Sequence, residues 1–186
     1  FIMSTEIQNH VVTFYSYKGG TGRTMALANI AFLLAKQAGE KGVLMIDWDL
    51  EAPGLHRFFQ DKDIKAFAEA KDIDCAYDKK EGLIDLFYEL NRKIKKYTKA
   101  NPQTEDEAFY LLDSINWDQF ILKTDIKSLS LLKAGRFDKK YANRVNTFSW
   151  EHFYNCSPSI FRLLAEYLAR RYQYVLIDSR TGITDI

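Results

Sequence analysis

One stretch constrains this chain more than any other: Tyr17-Lys18-Gly19-Gly20-Thr21-Gly22-Arg23-Thr24. It lies between an apolar, β-branched run from His10 to Ser16 and a helical pattern from Met25 to Gln37. Strand, glycine-rich turn and helix start, in that order, make a cradle for phosphate. Glycines let successive backbone N–H groups point at one centre, and the helix N-terminus adds about half a positive charge behind them. Arg23 supplies a cation and Thr24 a hydroxyl, which suit a phosphate and a hard metal ion. The ordinary phosphate loop reads G-x-x-x-x-G-K-[ST]. Here the glycine spacing is shorter, Arg23 stands where Lys is expected, and an additional lysine, Lys18, leads the loop.

Length and charge narrow the rest. At 186 residues the chain suits one domain with a real core and is short for two. Apolar residues at 47% and charged residues at 27% are globular values. A net charge of +1 makes no broad case for a nucleic-acid or membrane surface. Cys75 and Cys156 stand far apart with no C-x-x-C, which fits reduced thiols in a cytoplasmic protein. No apolar run approaches the roughly 18 residues of a membrane span. Phe1 and Ile2 precede a potential initiator, Met3, and are read as an extraneous remnant.

After the loop, Leu27, Ile30, Ala31 and Leu34 form one helical stripe, with Gly39 as the expected C-cap. Gly42 then leads into a second strand, Val43 to Asp47, while the nearly continuous apolar run His10 to Ser16 is expected to be a parallel strand covered on both faces. Residues from about 56 to 127 read as a helical elaboration of the same domain. Leu83, Leu86, Phe87, Leu90 and Ile94 mark its amphipathic helix. Arg92, Lys93, Lys95, Lys96 and Lys99 read as a solvated face rather than a nucleic-acid contact. Asn101-Pro102 predicts a loop. Ser128 to Ala134 is the third expected strand, stopped by Gly135. The aromatic group Phe148, Trp150, Phe153 and Tyr154 is read as packing, since no basic residues interleave. Ser157-Pro158 predicts a helix start, with the helix running from Ser159 to about Arg171 into a last strand, Tyr174 to Asp178.

Three motifs, taken in order, resemble one family. Lys18-Gly19-Gly20-Thr21-Gly22-Arg23-Thr24 resembles the deviant Walker A loop, K-G-G-x-G-[K/R]-T, of ParA/MinD-type (SIMIBI) P-loop ATPases. Asp47-Trp48-Asp49 followed by Pro53-Gly54-Leu55-His56 resembles their D-x-D-x-x-x-P-x-L-H. Tyr174 to Asp178, continuing as Ser179-Arg180-Thr181-Gly182, resembles their Walker B strand. The resemblance implies an α/β fold, a parallel β-sheet with flanking helices, and a domain over residues 3–186 that stops short after the Walker B strand. It implies ATP and Mg²⁺ as ligands. Lys18, Gly19, Gly20, Thr21, Gly22, Arg23, Thr24 and Met25 are then expected at the nucleotide, and Thr24, Asp47 and Asp178 at the metal. Asp49 is expected to orient the attacking water, while Asp47 has the alternative task of holding its loop.

In that family the lysine at the position of Lys18 reaches across a two-fold interface to the partner's phosphates. The resemblance therefore implies a nucleotide-dependent homodimer, with catalytic roles for Lys18, Arg23 and Asp49. Arg23 departs from the commoner lysine and is not its equivalent at a close-fitting site, a difference that bears on turnover more than on binding. Arg180 is read either as approaching the phosphates or as salt-bridged. The partition branch usually reads D-x-D-P-Q, and Asp47-Trp48-Asp49-Leu50-Glu51-Ala52-Pro53 is closer to bacterial tyrosine kinases and iron–sulfur carrier ATPases. The whole set resembles N-terminal ATPase modules of larger bacterial proteins, with unknown partners or further domains in the same chain. Three functions stay open: a dimerising switch ATPase, a nucleotide-sensing scaffold without appreciable hydrolysis, and a tyrosine kinase-like ATPase.

Overall fold

The strand that carries the last motif is threaded between the two that carry the others. In a computed structural model describing residues 10–59, 79–97 and 105–180, five strands form one sheet. They are β1 (His10–Phe14), β2 (Val43–Asp47), β3 (Ile121–Lys123), β4 (Leu129–Leu132) and β5 (Tyr174–Asp178), in the order β1-β5-β2-β4-β3. β5 pairs in parallel with β1 on one side and β2 on the other, setting Phe14 opposite Asp178 and Asp47 opposite Asp178. The three motif-bearing ends thus lie side by side at one carboxyl edge, where α/β sheets bind ligands. β4 extends the parallel set beside β2, and β3 closes that edge antiparallel to β4.

Helices cover both faces. α1 (Arg23–Gln37) packs Leu27, Ala28, Ala31 and Ala35 on Val43, Met45, Leu129, Leu131 and Leu176. The opposite face carries α2 (Leu83–Tyr97), α3 (Glu105–Asp113), α4 (Tyr141–Thr147), α5 (Trp150–Cys156) and α6 (Ile160–Arg171). Leu44, Ile46, Leu132 and Val175 meet that layer, with Phe87 of α2 edge-on to Trp48, Trp150, Phe153 and Phe161. Leu83, Leu86, Phe87, Leu90 and Ile94 are all buried, as their spacing predicts. α2 and α3 therefore share one wall of the main core with α5 and α6.

Several local expectations are corrected. β1 is an edge strand and not covered on both faces: Val11 and Val12 are 40% and 43% exposed. The α1 stripe runs through Leu27, Ala28, Ala31 and Ala35, whose small side chains let the helix lie close to the sheet, while Ile30 points outward. Gly39 does not cap α1, since Ala38 takes that position in an extended conformation. Gly42 is the glycine that the turn requires: it has φ +66°, and a Cβ there would come within 2.6 Å of the Ser128 carbonyl oxygen. The third expected strand ends at Leu132, because the Lys133 and Ala134 carbonyls accept the first N–H groups of α2, from Leu83 and Ile84.

β3 was not anticipated, as three residues are too few to show alternation. Ser157-Pro158 is not the cap of α6. Ser159 precedes that helix, and Ser157 caps α5, donating its N–H to Phe153 and Tyr154. Of the aromatic group, Tyr154 is 52% exposed and the rest are packed. On α2, Arg92 pairs with Glu89 at 2.7 Å and Lys93 donates to Ser114, while Lys95 and Lys96 face solvent. Cys75, Lys99, Asn101, Pro102, Thr181 and Gly182 lie outside the described residues. Among the described residues no helix is long and apolar enough to cross a membrane.

Candidate functional site

Two backbone conformations open to glycine shape the loop: Gly20 has φ +73° and Gly22 has φ +79°. Gly22 stands at the N-terminus of α1, so the chain turns from β1 straight into the helix that begins with Arg23. Lys18, Gly19, Gly20 and Thr21 are exposed, and the Lys18 ammonium has no partner among the described residues. The Ser16 hydroxyl donates to the Lys18 carbonyl at 3.1 Å, tightening the front of the loop. Thr13, Phe14, Tyr15, Ser16, Thr21, Gly22, Arg23 and Ala26 line a cavity of about 380 Å³ beside it. Thr24 lies in the first turn of α1, and Met25 beside it is 54% exposed.

The Arg23 side chain turns back under the loop. Its Nε donates to Asp178 Oδ1 at 2.5 Å, its Nη2 to Asp49 Oδ2 at 3.0 Å, and its Nη1 reaches Ser16 Oγ at 3.5 Å. One guanidinium thereby links the ends of β1, β2 and β5. The Arg23 side chain is 8% exposed, Asp178 1% and Asp49 12%. Burial works against the charged guanidinium, but its bonds to Asp178 and Asp49 and their charges outweigh that, raising its pKa above the ordinary value.

The remaining contacts fix the loop after β2. Asp47 Oδ2 accepts the Gly54 and Leu55 N–H groups at 3.2 and 3.1 Å, while its buried Oδ1 has no hydrogen-bond partner among the described residues. Asp49 Oδ1 accepts the Ala52 N–H at 3.2 Å. Burial first, then the negative charges of Asp178 and Asp49, raise the Asp47 carboxyl to about 7 against the two backbone N–H groups. Tyr141 donates its hydroxyl to the Leu50 carbonyl at 2.8 Å, and Arg180 pairs with Glu51 at 2.6 Å. The Ser179 hydroxyl donates to the Phe14 carbonyl at 2.8 Å, tying β5 to β1 beyond the last ladder pair.

Asp49, Arg23 and Asp178 are thus brought together, with Thr24 on the adjacent helix turn. Asp47 ends β2 beside them, its Oδ2 engaged by the Gly54 and Leu55 N–H groups. Sequence reasoning missed Ser16, Tyr141 and the Glu51 partner of Arg180. Ser16 adjoins the motif and could have been found there. Tyr141 is remote in sequence and had no local signal. No group of three or more Asp, Glu, His or Cys side chains among the described residues forms a ready metal site. Thr24 and Asp178 nevertheless offer hard oxygen donors of the kind Mg²⁺ takes, and a phosphate-bound Mg²⁺ needs only one or two from protein.

No family model and no curated protein matches this chain. Solved structures do. A plasmid partition protein from Borrelia burgdorferi is 20% identical with a TM-score of 0.51, over 92% of this chain and 56% of that one. The chimerical protein CapA2B2 is 19% identical with a TM-score of 0.53, over 98% of this chain and 57% of that one. The kinase domain of the Escherichia coli tyrosine kinase ETK is 15% identical with a TM-score of 0.50, over 95% of this chain and 48% of that one. The chain spans about half the length of these structures. At such identities the likeness is one of fold alone: an α/β fold with a mostly parallel sheet between helices, shared with the partition protein and the kinase domain.

Proposed function

We propose that this chain binds a nucleoside triphosphate, with ATP as the expected nucleotide, and acts as a Mg²⁺-dependent switch ATPase with a deviant Walker A loop. The observation that carries the reading is the convergence of the glycine turn, Arg23, Asp49 and Asp178 at the adjacent ends of β1, β5 and β2. The N–H groups from Gly20 to Thr24, backed by the α1 N-terminus, suit the phosphates. Thr24 and Asp178 would hold Mg²⁺, which would neutralise phosphate charge when bound. Asp49, once released by Arg23, would orient a water, since phosphoryl transfer depends mainly on positioning and charge. The exposed Lys18 would reach a second copy in a nucleotide-dependent homodimer. A regulatory or signalling role fits such a switch.

Thermal melting with ATP, ADP and GTP, with and without Mg²⁺, tests the binding. A ligand at 100 times its Kd stabilises by about 2.7 kcal/mol. Phosphate release that is lost in Asp49→Ala supports hydrolysis, and no nucleotide-dependent shift at all sinks the reading. The engagement of Asp49 by Arg23 favours one alternative, a scaffold that binds without turnover. Dimerisation with ATP and no phosphate release would select it. The kinase reading rests on fold likeness to a tyrosine kinase domain, and phosphotyrosine after incubation with ATP is its test.

A further inference from the structure

We propose that Arg23 is an internal counter-cation that, by bridging Asp178 to Asp49, closes the metal donor Asp178 to divalent metal until a polyanion draws the guanidinium away. The proposal rests on the nucleotide-site reading and specifies how that site is regulated. Two different nitrogens of one side chain bind two carboxylates, Nε that of Asp178 at the end of β5 and Nη2 that of Asp49 in the loop after β2. All three side chains are largely removed from water, at 8%, 1% and 12% exposure. A metal ion arriving alone must therefore displace a buried cation and leave it without a partner, which is costly in a desolvated setting. A polyanion removes that cost by offering the guanidinium new acceptors.

The fork geometry is what makes this possible. A guanidinium is planar and permanently charged, and it can hold two acceptors at once, whereas an ammonium is a compact point charge. The third nitrogen, Nη1, lies 3.5 Å from Ser16 Oγ, and both residues line the 380 Å³ cavity beside the loop. The guanidinium thus borders the space where phosphates would sit, within a side-chain rotation of leaving the carboxylates. Phosphate goes first and metal follows, so the site is not charged by Mg²⁺ alone.

The test uses Mn²⁺ as the metal probe on the full chain without nucleotide, reading free Mn²⁺ by electron paramagnetic resonance. Arg23→Gln is expected to bind Mn²⁺ at least tenfold more tightly than the wild type, and Asp178→Asn added to it should remove the gain. Arg23→Lys keeps the charge but loses the fork, and it too should bind Mn²⁺ more tightly than wild type, by threefold or more. It also serves if Arg23→Gln does not fold, as judged by circular dichroism. Equal Mn²⁺ affinity in wild type and Arg23→Lys overturns the proposal, because charge without bridging then suffices. Tight Mn²⁺ binding by the wild type alone overturns it as well. These arms contain no nucleotide, so a failure of ATP to shift the melting temperature sinks the nucleotide reading separately.

Discussion

Asp47 allows a test in which burial, charge and pH act on one carboxyl. It ends β2 with 0% exposure, beside two other acidic strand-end residues. Burial, then Asp178 and Asp49, raise its pKa from 3.8 to about 7. The folded chain therefore holds the Asp47 proton more tightly than the unfolded chain does. The stability this contributes is fully present below the unfolded value near 3.8 and is lost as pH rises through about 7. A shift of that size is worth roughly 4 kcal/mol in total, of which about 2–3 kcal/mol falls between pH 5 and 8. Asp47→Asn removes the titration while keeping an oxygen for the Gly54 and Leu55 N–H groups. Urea unfolding of both proteins in EDTA, at pH 5, 6, 7 and 8, measures the difference. Wild type should lose about 2–3 kcal/mol relative to Asp47→Asn across that range. A flat difference, or one of opposite sign, refutes the reasoning and shows Asp47 to be charged at neutral pH.

Other perturbations probe the frame and the loop. Phe87→Ala empties the ring at the centre of the aromatic wall and should cost about 3–5 kcal/mol by denaturant unfolding. It should also loosen Trp48, whose ring meets Phe87 at 5.3 Å between Asp47 and Asp49, which near-ultraviolet circular dichroism can follow. Gly82→Ala puts a Cβ 2.3 Å from the Lys133 carbonyl oxygen and 2.6 Å from the Gly135 nitrogen. Because both are backbone atoms, a loss of at least about 1–3 kcal/mol is expected in the melting transition. Lys18→Ala should leave the melting temperature of the nucleotide-free chain within 1–2 °C (about 0.5 kcal/mol or less). In light scattering with Mg²⁺-ATP, the same change should abolish the dimer; a dimer that survives it removes the cross-subunit role.

The α/β class and the position of the loop were legible because they depend on local order. Glycines at the end of an apolar strand, followed at once by a helical pattern, need no distant partner to be recognised. The buried stripe of α2 was equally plain, since five apolar residues at helical spacing can face only one way. The edge position of β1 was not legible: apolar content does not say whether a neighbouring strand is present. The choice of Leu27, Ala28, Ala31 and Ala35 over Ile30 depended on how closely α1 approaches the sheet.

At the site, the sequence by itself determined which groups carry charge and that Asp49, Asp178 and Arg23 stand at strand or helix ends. It could not say that β5 inserts between β1 and β2, which is what brings Asp178 within reach of a guanidinium 155 residues earlier in the chain. Nor could it divide the two aspartates of one motif, Asp47 to its own turn and Asp49 to Arg23. Those assignments follow from strand order and from the burial that strand order imposes, because a carboxylate withdrawn from water must take whichever donor the fold sets beside it.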